Sequence, residues 1–214
     1  MPDVPGSSPN LVVLRREMVA TGRRMSDQGF IVAAEGNLSV RLGGHSFLVT
    51  PAGTAKGQLR VQDLVEIDGR GRSAHGRATS EWPLHKQIYD LRPDVRAICH
   101  AHAPWATAFA ASGRDLDGRL LTETAALLPR VPLAARALPG SDALAASVCP
   151  FITDFDAVLL GHHGVVTVGK DLADAFQLLE TVERLAQVTL LAEVAAGKAS
   201  VDPALLGNLP DTSS

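Results

Sequence analysis

After a Pro/Ser-rich start, apolar residues recur at helical spacing from Leu11 to about Gln28, with Asn10 placed to cap that helix and Gly29 to end it. The period then shortens. Asn37–Leu42, Ser46–Thr50 and Leu64–Asp68 read as strands, and Gly43-Gly44 as a hairpin turn. A loop over Gly69–Ala78 leads into Thr79-Ser80-Glu81-Trp82-Pro83, a helix start with small hydroxyl residues, an acid in the first turn and a tolerated proline. That helix runs to about Leu91. Val95–His102 reads as a strand with histidines at its end, followed by a helix from about Pro104 to Ala111. Val131–Leu133 reads as a strand, and Ser141–Ser147 as a helix capped by Ser141. Ala157–Leu160 and Val165–Val168 read as strands, and the last helix spans Leu172 to about Ala196, before Gly197. Strands and helices interleave, yet several neighbouring strands are joined by short turns. The sheet is therefore expected to be mixed or antiparallel rather than doubly wound.

With 214 residues and no internal repeat or linker, the chain suits one domain over residues 10–199, a flexible N-terminus (1–9) and a loosely ordered tail (200–214). Hydrophobic residues make up 46% and charged residues 20%, the balance of a soluble globular protein. A net charge of −3 gives no electrostatic reason to expect nucleic acid or an anionic membrane as partner. Arg15-Arg16 and Arg23-Arg24 fit a solvated helix face. Cys99 and Cys149 form no disulfide framework, and Cys99 should point into the core. The start lacks the basic and apolar stretches of a signal peptide, and no apolar run reaches membrane-spanning length, so a cytoplasmic location is expected.

The candidate chemistry lies in the histidines. In a strand, residues i and i+2 share a face, so His100 and His102 present two imidazoles to one point. A third, from His162-His163-Gly164, would complete the three-ligand set of a catalytic metal site. Three turns complement them: Ala34-Glu35-Gly36-Asn37-Leu38-Ser39, Thr50-Pro51-Ala52-Gly53-Thr54 and Thr79-Ser80. Turn amides, hydroxyls and a helix N-terminus suit an anion. Glu81, next to the hydroxyls, can be a fourth ligand, a base or simply a helix-capping acid.

Gly36-Asn37-Leu38-Ser39, Thr50-Pro51-Ala52-Gly53, Thr79-Ser80-Glu81, His100-Ala101-His102 and His162-His163-Gly164 occur in the order and approximate spacing of the class II aldolase/adducin family. From about Leu11 to Gly197 the chain resembles that family, above all its L-fuculose-phosphate aldolase-like members. The resemblance implies a three-layer α/β/α domain with a mixed, largely antiparallel central sheet, and a homotetramer with active sites between subunits. It implies Zn²⁺ (or another divalent cation such as Mn²⁺ or Co²⁺) on His100, His102 and His163. Glu81 is the implied acid/base, with Asn37, Gly53, Thr79 and Ser80 around a phosphate. The implied reaction is cleavage or formation of a C–C bond in a small phosphorylated sugar or hydroxy-acid through an enediolate.

Decarboxylases and dehydratases of related sugar-acid or ketose phosphates, and a non-catalytic adducin-like interaction module, are the alternatives. The chain departs from fuculose-phosphate aldolases at two tyrosines and one hydroxyl residue; the tyrosine of that branch's C-terminal tail has no counterpart in the ending Asn208-Leu209-Pro210-Asp211. Where that branch carries a proton-donating tyrosine after the H-x-H, this sequence has Leu120-Leu121-Thr122-Glu123-Thr124, and the only tyrosine is Tyr89. Thr122 or Glu123 is the candidate replacement. Ala52 stands where a hydroxyl residue is often found in the second turn. His45, His75 and His85 lie outside the set, although His85 shares a helix face with Glu81.

Overall fold

A computed structural model describes residues 10–43 and 45–198 of the chain. The expectations for residues 1–9, for Gly44 of the hairpin turn and for the tail 200–214 lie outside the described residues. The first helix, α1 (Leu11–Asp27), begins where expected, with the Asn10 side chain accepting from Val12 N at 3.0 Å. Strands β1 (Asn37–Gly43), β2 (Ser46–Val49) and β3 (Val65–Asp68) follow. Next come α2 (Trp82–Leu91), β4 (Ala97–Ala101) and α3 (Pro104–Ala111). The last large elements are α5 (Asp142–Ile152), β8 (Ala157–Leu160), β9 (Gly164–Gly169) and α6 (Leu172–Ala195).

Between α3 and α5 the chain adds five small elements: β5 (Leu116–Asp117), a 3-10 turn (Gly118–Leu120), α4 (Thr122–Leu127), β6 (Arg130–Val131) and β7 (Leu133–Ala134). The single strand expected over Val131–Leu133 is in fact two. Pro132 has no N–H to give a ladder, so the chain changes partners there. Val131 pairs with Leu116, while Leu133 pairs with Leu159 in the main sheet. Helix α5 passes the expected end at Ser147 and carries Pro150 inside it, because Val148 and Ile152 still face the core.

The main sheet has seven strands in the order β3-β2-β1-β4-β9-β8-β7. All neighbours are antiparallel except β7 and β8. Each face carries its own hydrophobic cluster. Leu14, Met18, Phe109, Phe176 and Val182 of α1, α3 and α6 cover one side, with Leu38, Cys99 and Val165 of the sheet. Leu84, Ile88, Leu144 and Val148 of α2 and α5 cover the other, with Ile98, Val158 and Val166. This is the expected three-layer α/β/α arrangement, and Cys99 is core as anticipated. No helix among the described residues is long and apolar enough to cross a membrane.

Strand β4 lies at the centre of this sheet and is buried throughout. Its neighbours crowd its C-terminal end so closely that two positions demand glycine. A Cβ on Gly36, which has φ +62°, would sit 2.6 Å from the His100 carbonyl oxygen. One on Gly164 would overlap the Ala101 carbonyl oxygen. Another support comes from α6: both carboxylate oxygens of the buried Glu183 accept from the start of α3, from Trp105 N at 3.0 Å and Ala106 N at 2.9 Å. Burial opposes the charge of Glu183 and lifts its carboxyl above the usual range, against the pull of those two N–H groups.

Glu183→Ala strands one buried and one half-buried N–H group and should cost about 1–3 kcal/mol in denaturant unfolding, with Glu183→Gln, which keeps one acceptor, falling between it and the parent. A parent-like midpoint for the alanine variant would refute that account. Gly164→Ala should cost about 1–3 kcal/mol by the same measurement, since the clash is with backbone rather than with a movable side chain.

Candidate active site

The three turns singled out by their residue types converge through hydrogen bonds at the start of β1 and the end of β2. Leu38 N donates to Thr50 Oγ1 at 3.1 Å, Thr50 N to the Leu38 carbonyl, and Thr79 N to the Thr50 carbonyl at 3.0 Å. Ala52 N donates to the Arg77 carbonyl, which closes the second turn against the start of α2. The result is a cavity of about 210 Å³ whose walls include Asn37, Gly53, Thr79, Ser80, Glu81, His102 and His163. Gly53 adopts φ +68°, the left-handed region that suits glycine at a tight turn. A larger hollow of about 770 Å³ near Arg114, Arg119 and Glu193 lies elsewhere and is lined by surface ion pairs.

His100, His102 and His163 each offer a ring nitrogen, and these three atoms lie within 4.8 Å of one another. His100 is the penultimate residue of β4, and His102 follows just beyond its end, on the same face by the strand alternation. His163 arrives from the turn between β8 and β9, where His163 N donates to the Leu160 carbonyl at 2.9 Å. His162 occupies φ +55° in that turn and stays exposed while its neighbour enters the site. The doublet therefore contributes one imidazole.

Glu81 sits immediately before α2 but makes no capping bond with its side chain. The carboxylate turns inward instead. Its Oε2 is 2.9 Å from His100 Nε2 and accepts from Asn37 Nδ2 at 2.9 Å; its Oε1 is 3.3 Å from His163 Nε2. Burial opposes ionisation, but the charge on His100, the Asn37 amide and His163 together hold the carboxyl well below the ordinary range.

Hydrogen-bond polarity tests whether this cluster suits a metal. His100 Nδ1 is 3.0 Å from the Val165 carbonyl oxygen, which can only accept, so Nδ1 carries the hydrogen. In a neutral ring Nε2 is then a lone pair, and it faces a carboxylate oxygen. That nitrogen is buried without a hydrogen-bond partner. Two acceptors held at 2.9 Å require a positive centre between them or beside them. A proton meets the need: despite burial, the Glu81 charge raises His100 above the usual histidine range. A divalent cation shared with His102 and His163 meets it as well. Burial and the His100 charge hold His163 down at about 4, so it offers a neutral lone pair. His102 is lowered by the same two causes, against the opposing charge of Glu35, whose Oε1 lies 3.4 Å from His102 Nδ1. The histidine set can hold a metal ion, with His102 steadied by a carboxylate.

Four residues here carried no strong signal in the sequence. Lys56 is buried beside these turns, donates to the Ala34 carbonyl at 2.5 Å and forms no ion pair among the described residues. Burial lowers it to about 8, against the opposing pull of Glu81. Nothing in its sequence neighbourhood marks it. His85 and Ser39 are fully buried behind Asn37, and Glu35 stands at the rim. His85 was detectable only through its spacing of four from Glu81. Tyr89 is packed against Phe47 and Trp82 and does not reach the cavity. Thr122 and Glu123 lie exposed on α4 and do not line this cavity.

The comparisons with known proteins agree with this arrangement. The family model "Class II Aldolase and Adducin N-terminal domain" matches residues 16–190. The 5-methylthioribulose-1-phosphate/5-deoxyribulose-1-phosphate aldolase of Rhodospirillum rubrum is 34% identical over 185 residues, 86% of this chain and 82% of that one. The methylthioribulose-1-phosphate dehydratase of Methylococcus capsulatus is 31% identical over 191 residues, 79% of this chain and 89% of that one. The crystal structure of L-fuculose-1-phosphate aldolase from Thermus thermophilus superposes with a TM-score of 0.78 at 31% identity, covering 88% of this chain and 98% of that one. With its fold, its histidine triad and these matches in accord, the chain belongs to the class II aldolase and adducin family.

Proposed function

We propose that this protein is a metal-dependent aldehyde-lyase that cleaves or forms a C–C bond in a small phosphorylated ketose. The observation that carries this reading is the buried, ionised Glu81 set against three converging imidazoles and opening onto a cavity lined by anion-binding turns. His100, His102 and His163 would hold the ion, with Zn²⁺ the best match to an all-imidazole set and Mn²⁺ or Co²⁺ as substitutes. When bound, the ion supplies Lewis acidity that makes the hydrogen on the carbon beside a substrate carbonyl acidic.

The protein's own groups perform the remaining steps. In the condensing direction, a Glu81 carboxylate oxygen removes that proton, and the resulting carbanion attacks an aldehyde carbon. In the cleaving direction Glu81 returns the proton to the same carbon. Asn37, Gly53, Thr79 and Ser80 receive the phosphate through amide, hydroxyl and backbone N–H donors, and Lys56 supplies the cation that faces it. The alkoxide formed at the former aldehyde also needs a proton. Tyr89 is enclosed in the core, so that role falls to Thr122 or Glu123 brought by a neighbouring subunit of a homotetramer. Dehydration is the second reading, favoured by the methylthioribulose-1-phosphate dehydratase relative. Product analysis separates the two, an aldehyde marking the lyase and a dehydrated ketone the dehydratase.

Glu81→Gln should retain about one metal ion per chain while losing about 10²–10⁴-fold in turnover. It should also abolish exchange of the substrate carbon-bound hydrogen with D₂O, followed by NMR; persistent exchange would remove Glu81 from the role of base. Lys56→Met should raise KM for phosphorylated ketoses about tenfold or more with kcat little changed, as for loss of a charge-assisted contact of about 1.5–3 kcal/mol. With the lysine near 8, the ammonium is present below that pH and lost above it. Parent kcat/KM should therefore fall as pH rises past about 8, and that fall should be absent in Lys56→Met.

A further inference from the structure

Behind Glu81 a line of buried polar groups runs away from the cavity; Asn37 lines the cavity, while His85, Ser39 and Tyr89 behind it touch no substrate in the reading above. Asn37 Nδ2 donates to Glu81 Oε2 at 2.9 Å; Asn37 Oδ1 lies 2.5 Å from His85 Nε2. His85 Nδ1 lies 2.6 Å from Ser39 Oγ, which is 2.9 Å from Tyr89 Oη. All five residues are buried, His85 and Ser39 completely.

The order of the links follows from two periodicities that happen to match. Glu81, His85 and Tyr89 are four residues apart along the α2 face, a step of about 6 Å. Asn37 and Ser39 are two residues apart on one face of β1, a step of about 6.6 Å. The helix and strand faces therefore interleave, giving Glu81, Asn37, His85, Ser39, Tyr89 in alternation.

Each link has only one allowed direction. The ionised Glu81 carboxylate can only accept, so Asn37 must present its NH₂ there and its carbonyl to His85. His85 Nε2 must then carry the hydrogen. A fully buried ring held at about 3, by burial first and by the His100 charge second, is neutral and has only one hydrogen to give. Nδ1 is therefore an acceptor and takes the Ser39 hydroxyl hydrogen. Ser39 Oγ in turn accepts from Tyr89, whose phenol burial pushes up and keeps protonated.

We propose that this directed chain, with His85 fixed as its Nε2–H tautomer, is a positioning device that orients the Asn37 amide and so keeps a donor aimed at the base. The proposal rests on Glu81 being the catalytic base, but its structural half does not. If His85 took the other tautomer, its Nε2 lone pair would meet the Asn37 carbonyl. The amide would then turn over and place its oxygen against Glu81, replacing an attraction with a repulsion.

Two measurements test the chain on the full-length, metal-loaded protein. Long-range ¹H–¹⁵N correlation spectra, with the His85 signals identified by their loss in His85→Gln, should show the Nε2-protonated tautomer; an Nδ1-protonated ring overturns the proposal whatever the enzyme's reaction proves to be. Kinetics on a turned-over ketose phosphate should show Ser39→Ala lowering kcat by about 10–100-fold, with KM and metal content near those of the parent. Tyr89→Phe should stay close to parent kcat, because Ser39 retains its own hydrogen to donate. A Ser39→Ala enzyme with parent kcat, or one that loses only metal, also overturns the proposal. Absence of turnover in the parent would count against the lyase reading alone, since the tautomer result stands without it.

Discussion

A carboxylate that can only accept has been buried where every neighbour must therefore donate or carry positive charge. That requirement at Glu81 organises the rest of the site. It fixes which end of the Asn37 amide faces inward, and it leaves His100 Nε2 needing a proton or a cation once Nδ1 is committed to the Val165 carbonyl. It also gives the His163 nitrogen a place at 3.3 Å on the other carboxylate oxygen. An isolated buried carboxylate would protonate to escape the cost of desolvation. Here the surrounding nitrogens reverse that outcome and leave a charged carboxylate at the wall of the cavity.

The large elements were legible because they obey simple periods: α1 and α6 by their helical stripes, β4 by alternation, and the caps at Asn10 and Ser141 by residue type. The histidine triad was legible in part for the same reason, since the i, i+2 relation of His100 and His102 carries geometry in itself. Glu81 was ambiguous from its position, as the residue before a helix is also where a capping acid belongs. Only the absence of a capping bond, and the turn of its side chain toward His100, separates the two roles.

What was not legible depended on contacts between distant segments. Lys56 owes its burial to packing of its backbone against Gly22 of α1, which no local pattern announces. The split at Pro132 follows from a missing N–H in a run that otherwise reads as one short strand. The order Glu81, Asn37, His85, Ser39, Tyr89 is written in the sequence as one spacing of four and another of two. It acquires meaning only when helix and strand lie side by side.

The placement of His100 on the central strand has a consequence for how much of the site can vary. Strand β4 is flanked by β1 and β9, both of which contribute to the same centre, and neither edge of the sheet comes near it. Opening such a strand requires disrupting most of the core, so its atoms fluctuate least. The rim is different: Glu35, Ala52 and Pro139 sit on connecting loops. Loop residues can be exchanged at small cost to the folded state. The proposed metal site is thus anchored through His100 in the most rigid layer while its rim lies on the most replaceable segments, an arrangement in which the rim can vary without disturbing the anchored imidazole.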